Sequence, residues 1–255
     1  MESPGLKLSI LIPVRNEDVN AGIMLKILKA VINVPHEVLI VYDSPEDSTV
    51  PAVKKIESEY GNIRLIHNRS GRGIPNAIKA GVSGSRGKYI LLFAIDEVGP
   101  VLAIEDMFAL MDEGCDLVSC TRYAYGGRRL GGSPIGGILS RAGNELFRLL
   151  SGATFTDGTT GIKMFRKEFF DKLVIESNPA GWAVVFEIAI KAQKAGLKIG
   201  EVPITSIDRL YGGKSTFSLR SWFKEYLRWF MYGVKELRKV KNKEKTLVRI
   251  PRNLV

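Results

Sequence analysis

The 255-residue sequence is poor in the side chains that carry imidazole and thiol chemistry: it has two histidines, His36 and His67, and two cysteines, Cys115 and Cys120. So few histidines argue against imidazole triads and histidine-based zinc clusters. The cysteines do not form a CxxC pair. They suit a reduced, cytoplasmic compartment and small positions in a core. No apolar run is long enough to cross a bilayer. No basic segment precedes the short apolar run Leu8–Val14, so no signal peptide is expected. A phosphate-loop lysine motif is missing, and Gly81-Val82-Ser83-Gly84-Ser85 fails the nucleophile-elbow pattern at its last residue. Gly71-Arg72-Gly73-Ile74-Pro75-Asn76 carries asparagine where a dinucleotide fingerprint needs its third glycine, and it follows the third strand instead of the first. Internal repeats and low-complexity stretches are also absent.

What is present is an ordinary globular composition, 45% hydrophobic and 25% charged, on a length that fits one large domain or a domain with a tail. The net charge of +10 is unevenly spread. Residues 218–255 hold eleven Lys/Arg against three Glu, which is +8 of that total. The division expected from this is a nearly neutral domain over 1–217 with a basic appendage over 218–255, and no nucleic-acid partner.

Strands are expected over Leu6–Val14, Glu37–Tyr42, Ile63–His67, Tyr89–Glu97 and Asp116–Arg122, with helices over Val19–Ile32, Val50–Tyr60, after Arg69-Ser70-Gly71-Arg72-Gly73 to about Val82, and Leu102–Asp112. Strands alternating with helices at this spacing predict βαβ units and a mostly parallel α/β sheet. The second half predicts a basic glycine-rich loop from Gly126 to Gly137, helices over Ile138–Leu150 and Trp182–Ala195, and strands over Ile162–Phe165 and Lys198–Thr205.

The central strand has seven apolar residues, Tyr89 to Ile95, before Asp96. A carboxylate at the carboxyl end of such a strand lies where open α/β sheets bind ligands. Asp43 and Asp157 also fall at strand ends or turns, and Arg15, Arg72, Arg122 and Arg209 in similar loops. Carboxylates that hold a divalent ion, facing guanidinium forks for phosphate, suit a nucleotide diphosphate.

Seven stretches carry a family resemblance: Ile12-Pro13-Val14-Arg15-Asn16-Glu17, Val41 to Thr49, Arg69 to Gly73, Ala94-Ile95-Asp96, Thr121-Arg122-Tyr123, Asp157 to Gly161, and Glu201-Val202-Pro203-Ile204. In order and spacing the sequence resembles the family 2 glycosyltransferases of GT-A fold over roughly residues 6–232, and within them the polyprenol-phosphate (dolichol-phosphate mannose-type) synthases. The resemblance implies a nucleotide-sugar pocket from Pro13, Arg15, Glu17, Val41, Asp43, Arg72, Ala94, Ile95 and Asp96. It implies Mg2+ or Mn2+ on Asp96, and phosphate contacts from Arg122, Arg209, Lys214 and Ser215. Asp96, Arg122, Asp157, Glu187 and Arg209 are the candidate catalytic set, with Glu187 or Asp157 as base for a hydroxyl acceptor.

The sequence departs from the family where its Asp-x-Asp reads Ala94-Ile95-Asp96. On an extended strand Glu97 would face away from Asp96. The expectation is sugar transfer from a nucleotide diphosphate-sugar to a polyprenyl phosphate, with inversion. The alternatives are transfer to a glycan hydroxyl, or a non-catalytic nucleotide-sugar-binding protein with a decayed metal site. The segment from Leu219 to Leu237 has aromatics at helical spacing with bases among them, which predicts a helix lying either in an anionic membrane interface or against the core.

Overall fold

A computed structural model describes residues 5–179, 181–207 and 219–251. The first half follows the expected alternation. β1 (Leu8–Val14), α1 (Asp18–Val31), β2 (His36–Tyr42), α2 (Thr49–Glu57), β3 (Ile63–His67), α3 (Ile74–Gly84) and β4 (Tyr89–Leu92) come in turn. A 3-10 turn at Gly99–Ala103 then leads into α4 (Ile104–Asp112) and β5 (Leu117–Thr121). The second half contains β6 (Arg128–Leu130), α5 (Pro134–Ser151), β7 (Lys163–Arg166), α6 (Lys167–Lys172) and α7 (Ala183–Lys194). It ends with β8 (Ile199–Pro203), β9 (Thr205–Ile207), α8 (Leu219–Leu237) and β10 (Leu247–Val248).

Eight strands form one sheet in the order β10-β8-β5-β7-β4-β1-β2-β3, and β6 pairs with β9 in a small second sheet. All neighbours in the large sheet run parallel except β7, which is antiparallel to both β4 and β5. The carboxyl ends of β1, β2, β3, β4, β5 and β8 therefore lie along one edge. Two apolar layers cover the sheet. One packs Met24, Leu25 and Leu28 of α1 and Met107 and Met111 of α4 on Leu8, Ile10 and Leu91. The other packs Ile78 of α3, Val184 and Ile188 of α7 and Trp229 of α8 on Leu11, Ile90 and Phe165.

Three features differ from the expectation. β4 stops at Leu92, not Glu97: Phe93 N still reaches Leu11 O at 3.0 Å, but Glu97 N turns back to Ala94 O at 3.3 Å. Phe93 and Ile95 stay buried in this turn, so the apolar run reports burial and not extension. Face alternation consequently does not apply to Asp96 and Glu97. The Lys198–Thr205 strand divides at Ile204 into β8 and β9. α5 starts at Pro134, earlier than expected, because the Ser133 side chain caps it by accepting Gly136 N at 3.2 Å and proline suits its first turn.

The basic segment, for which both a membrane-interface and a core placement were open, makes extensive contacts with the domain. Trp229 and Leu237 of α8 are buried in the main core, and β10 extends the sheet beside β8. Arg249 pairs with Asp106 at 2.8 Å and Glu113 at 3.1 Å, and Arg238 Nε donates to Leu150 O at 2.6 Å. Residues 219–251, set apart by charge, are thus packed on the sheet and helices of the preceding residues.

Candidate active site

The edge formed by the strand ends gathers most of the residues singled out in the sequence. Pro13 is buried near the end of β1, and after the strand Arg15 is exposed and Glu17 accepts Asn20 Nδ2 at 2.7 Å. Asn16 N donates to Asp47 Oδ1 at 3.0 Å and Glu17 N to Thr49 Oγ1 at 2.9 Å, which fixes the first two crevice loops together. After β2, with Val41 buried at its end, Asp43 Oδ1 accepts Asn68 Nδ2 at 2.7 Å and its Oδ2 accepts Gly73 N at 3.0 Å. Asn68 also donates to Gly71 O at 2.7 Å, so Asp43 and Asn68 shape the loop that carries the exposed Arg72. After β4, Ile95 is buried, while Ala94 and Asp96 are partly exposed in the turn. Glu97 accepts Ser206 Oγ at 3.0 Å and thereby ties the turn to β9.

On the other flank Arg122 follows β5. Its Nε and Nη2 fork onto Asp157 at 2.7 Å and 3.0 Å, and Nη2 also donates to Thr159 Oγ1 at 3.0 Å. Burial alone would raise the Asp157 carboxyl, but the Arg122 guanidinium outweighs it and holds the group below the usual carboxylate range. Asp157 is fully buried, with Thr159 N, Thr159 Oγ1 and Arg122 N as further donors. A carboxylate so committed has no lone pair open for taking a substrate proton. In this geometry Asp157 holds Arg122. Glu187 is likewise fully buried: it accepts Glu176 N at 2.7 Å, Ser177 N at 2.9 Å and Lys191 Nζ at 2.7 Å. Both candidate bases are thus occupied by hydrogen-bond donors in this structure. Arg209, Lys214 and Ser215 lie outside the described residues.

Behind Arg122 sit two ionisable groups to which the sequence assigned no role. Lys163 is fully buried at the start of β7 and donates to Ser119 Oγ at 2.7 Å. Burial pushes its ammonium down to about 8 against the pull of Asp157 and Glu201. Glu201 of β8 accepts Thr156 N at 2.7 Å and Asp157 N at 3.2 Å, yet burial still pushes it up to about 7. The sequence marks Glu201 only as part of a motif. Lys163 gives no signal beyond a lone charge in an apolar strand.

In front of Arg122 lies a cavity of about 440 Å³. Arg122, Arg128, Arg129 and Arg141 line it together with the apolar Leu130 and Ile138. The Arg122 guanidinium lies 5.0 Å from the centroid of the Tyr123 ring, whose buried hydroxyl has no partner among the described residues. Four guanidinium groups around one space have the charge and fork geometry that suit an anion. The glycine-rich basic loop was the visible signal for Arg128 and Arg129, whereas Arg141 lies on α5, within the helix already expected there, and carried no signal of its own.

For a divalent ion the available donors are few. Among the described residues no group of three or more His, Cys, Asp or Glu could hold a metal. Asp96 alone fits an ion shared with diphosphate oxygens and water, the way magnesium is often bound, and does not fit a protein cage.

The architecture is the GT-A fold. A glucosyl-3-phosphoglycerate synthase from Mycobacterium tuberculosis, solved with Mn2+, UDP and glucosyl-3-phosphoglycerate, superposes with a TM-score of 0.70 at 15% identity, covering 91% of this chain and 81% of that one. The model of glycosyl transferase family 2 matches residues 9–174, and the chain belongs to that family. It is 24% identical over 232 residues to a dolichol-phosphate mannosyltransferase of Pyrococcus furiosus, over 88% of this chain and 64% of the relative. It is 26% identical over 221 residues to a polyprenol monophosphomannose synthase of Mycolicibacterium smegmatis, over 82% and 80%. A glycosyltransferase AglD of Haloferax volcanii matches at 23% over 239 residues, and the chain spans only 38% of its length.

Proposed function

We propose that this protein transfers a glycosyl group from a nucleotide diphosphate-sugar to a polyprenyl phosphate, with inversion, at a membrane surface. The observation that carries the acceptor is the four-arginine cavity opening beside an apolar helix face. On α5, Ile135, Ile138, Leu139, Leu146 and Leu149 are exposed, with Arg141 and Arg148 among them. On the neighbouring α8, Phe223, Leu227 and Met231 are exposed. Among the described residues no helix is long and apolar enough to cross a membrane. An apolar face with bases at its rim suits the interface of an anionic leaflet, with the lipid phosphate drawn into the cavity. The names of two relatives, which mention dolichol phosphate and a polyprenol, support the same acceptor class.

The donor would lie over the loops of Arg15, Asp43 and Arg72, with its diphosphate at Asp96. Asp96 would hold a divalent ion there, Mg2+ or Mn2+, which would supply charge neutralisation for the leaving diphosphate. Arg122, kept in place by Asp157, holds the acceptor phosphate for in-line approach. A phosphate oxygen forms the new bond to the anomeric carbon as the bond to the donor diphosphate breaks. The nucleoside diphosphate leaves with that electron pair, and the configuration inverts. Because a phosphate is already ionised at neutral pH, no general base is needed, which agrees with the occupied carboxylates of Asp157 and Glu187.

Radiolabelled transfer from a nucleotide-sugar panel, with polyprenyl phosphate, phosphoglycerate or an oligosaccharide as acceptor, tests this. Label in the lipid phase only with polyprenyl phosphate is the expected result. Label in phosphoglycerate or a glycan replaces the acceptor. No transfer to any of the three refutes the catalytic reading.

A further inference from the structure

The segment between α6 and α7 has no evident purpose in the crevice, yet two buried carboxylates hold it. Glu187 of α7 accepts Glu176 N and Ser177 N at 2.7 Å and 2.9 Å, with its charge balanced by Lys191. Glu225 of α8 accepts Asn178 N at 3.0 Å and Asn178 Nδ2 at 2.9 Å, while Arg228 and Trp229 Nε1 donate to the same carboxylate at 3.0 Å and 3.1 Å. Lys79 of α3 reaches Ile175 O at 3.4 Å. Next comes Gly181, at φ +61°, where a β-carbon would run into the Trp222 ring of α8.

What this strap touches gives it meaning. Pro179 sits against Gly73, so closely that a β-carbon on Gly73 would lie 2.6 Å from Pro179 Cβ. Gly73 has φ +109°, a conformation natural to glycine, and its N–H is the one that Asp43 accepts at 3.0 Å. A continuous line of contacts therefore runs from Glu225 through Asn178 and Pro179 to Gly73 and Asp43. Both ends of the strap are fixed by charge-assisted hydrogen bonds from buried groups, which are stiffer than exposed neutral ones.

We propose that Glu225 and Glu187 are positioning residues for the donor pocket, acting through residues 176–179, which seat Pro179 on Gly73 and so fix the Arg72 loop against Asp43. The inference rests on the donor site proposed above. Neither carboxylate touches substrate. Their effect is on how well the empty pocket is preorganised for the nucleotide, and so on donor affinity more than on turnover at saturation.

The test uses the full chain, with binding of UDP, GDP and dTDP in the presence of Mn2+ measured by calorimetry and donor kinetics run at saturating polyprenyl phosphate. Asn178→Ala removes one strap bond and Pro179→Gly removes the seat, and both leave the buried acids in place. Glu225→Gln keeps one acceptor oxygen. Arg249→Ala, which removes the remote ion pairs with Asp106 and Glu113, serves as a control for general destabilisation. Asn178→Ala and Pro179→Gly should raise the donor KM and the nucleotide Kd about tenfold with kcat within twofold, Glu225→Gln should do the same, and Arg249→Ala should move neither. Wild-type Kd and KM in both strap variants would overturn the proposal, as would an equal rise in Arg249→Ala. A wild-type protein that binds none of the three nucleotides would overturn the donor site itself, and the strap's role with it.

Discussion

Replacing Arg122 by methionine would strand the Asp157 carboxylate in the interior. The pair is tight: the fork spans 2.7 Å and 3.0 Å, Asp157 is fully buried and Arg122 only 12% exposed in its side chain. Removing one partner of such a buried pair costs about 3–5 kcal/mol. Arg122 N, Thr159 N and Thr159 Oγ1 would remain as donors to the carboxylate, which sets the expectation at the lower end, about 3 kcal/mol. For a chain of this size that is roughly a 6–12 °C fall in melting temperature. The pH dependence has a definite sign. In the wild type Asp157 titrates below its unfolded value, so its contribution is complete above that value and is lost as pH falls through the folded one. In Arg122→Met that preference is gone, and protonation relieves the buried charge. The stability gap should therefore be widest at pH 7 and narrow toward pH 4.5. Urea unfolding followed by circular dichroism at both pH values measures this. The double variant Arg122→Met, Asp157→Asn should recover most of the loss. For comparison, removing the solvent-exposed Arg148–Glu145 pair should leave the urea midpoint essentially unchanged, because water and salt screen it. A cost below about 1 kcal/mol for Arg122→Met, unchanged at pH 4.5, would refute the buried-pair argument.

Three further outcomes are expected. Asp96→Ala should lower transfer about a hundredfold, near 3 kcal/mol in the barrier, with unfolding unchanged, and near-normal turnover would remove Asp96 from the chemistry. Glu201 binds its proton more tightly folded, at about 7, than its ordinary 4.5. Wild-type stability should then fall as pH rises through that window, and Glu201→Gln should flatten this slope in urea melts, whereas an identical slope would exclude Glu201 as its source. Leu149→Glu on the exposed side of α5 should leave stability within about 0.5 kcal/mol. It should reduce co-sedimentation with anionic liposomes, and undiminished binding would take α5 out of the membrane contact.

The strand ends and their polar loops were legible because burial on both faces forces apolar runs and the βαβ spacing fixes direction. Asp43, Asp96 and Arg122 could thus be assigned to one edge of the sheet before any coordinates. The extent of β4 was not legible, since Phe93 and Ile95 are as buried in a turn as they would be in a strand. Nor was the engagement of Asp157 and Glu187, because a sequence shows a carboxylate but not the N–H groups that occupy it. The placing of Lys163 against Ser119 Oγ, within the field of Asp157 and Glu201, depends on β5, β7 and β8 coming together from separate parts of the chain. In α8 the aromatic stripe was plain, but which of its sides faces the core is decided by α7 and α5. Trp229 and Leu237 are the described apolar side chains of α8 that are fully buried, while Phe223, Leu227 and Met231 stay exposed.

The reversed strand β7 also orders events in time. β1 to β4, with their helices, can pair among themselves as soon as residue 92 has been made. β5 has no place beside β4 until residues 163–166 arrive to separate them. A nascent chain that has released β5 but not β7 holds two unpaired strand edges that are parallel, apolar and wrong for each other. Closure of that seam joins segments far apart in the chain, and such contacts form slowly. The interval is where this protein is most exposed to edge-to-edge association, and folding yield in cells should respond more to changes in 163–166 than to equal losses of stability in β1 or β2.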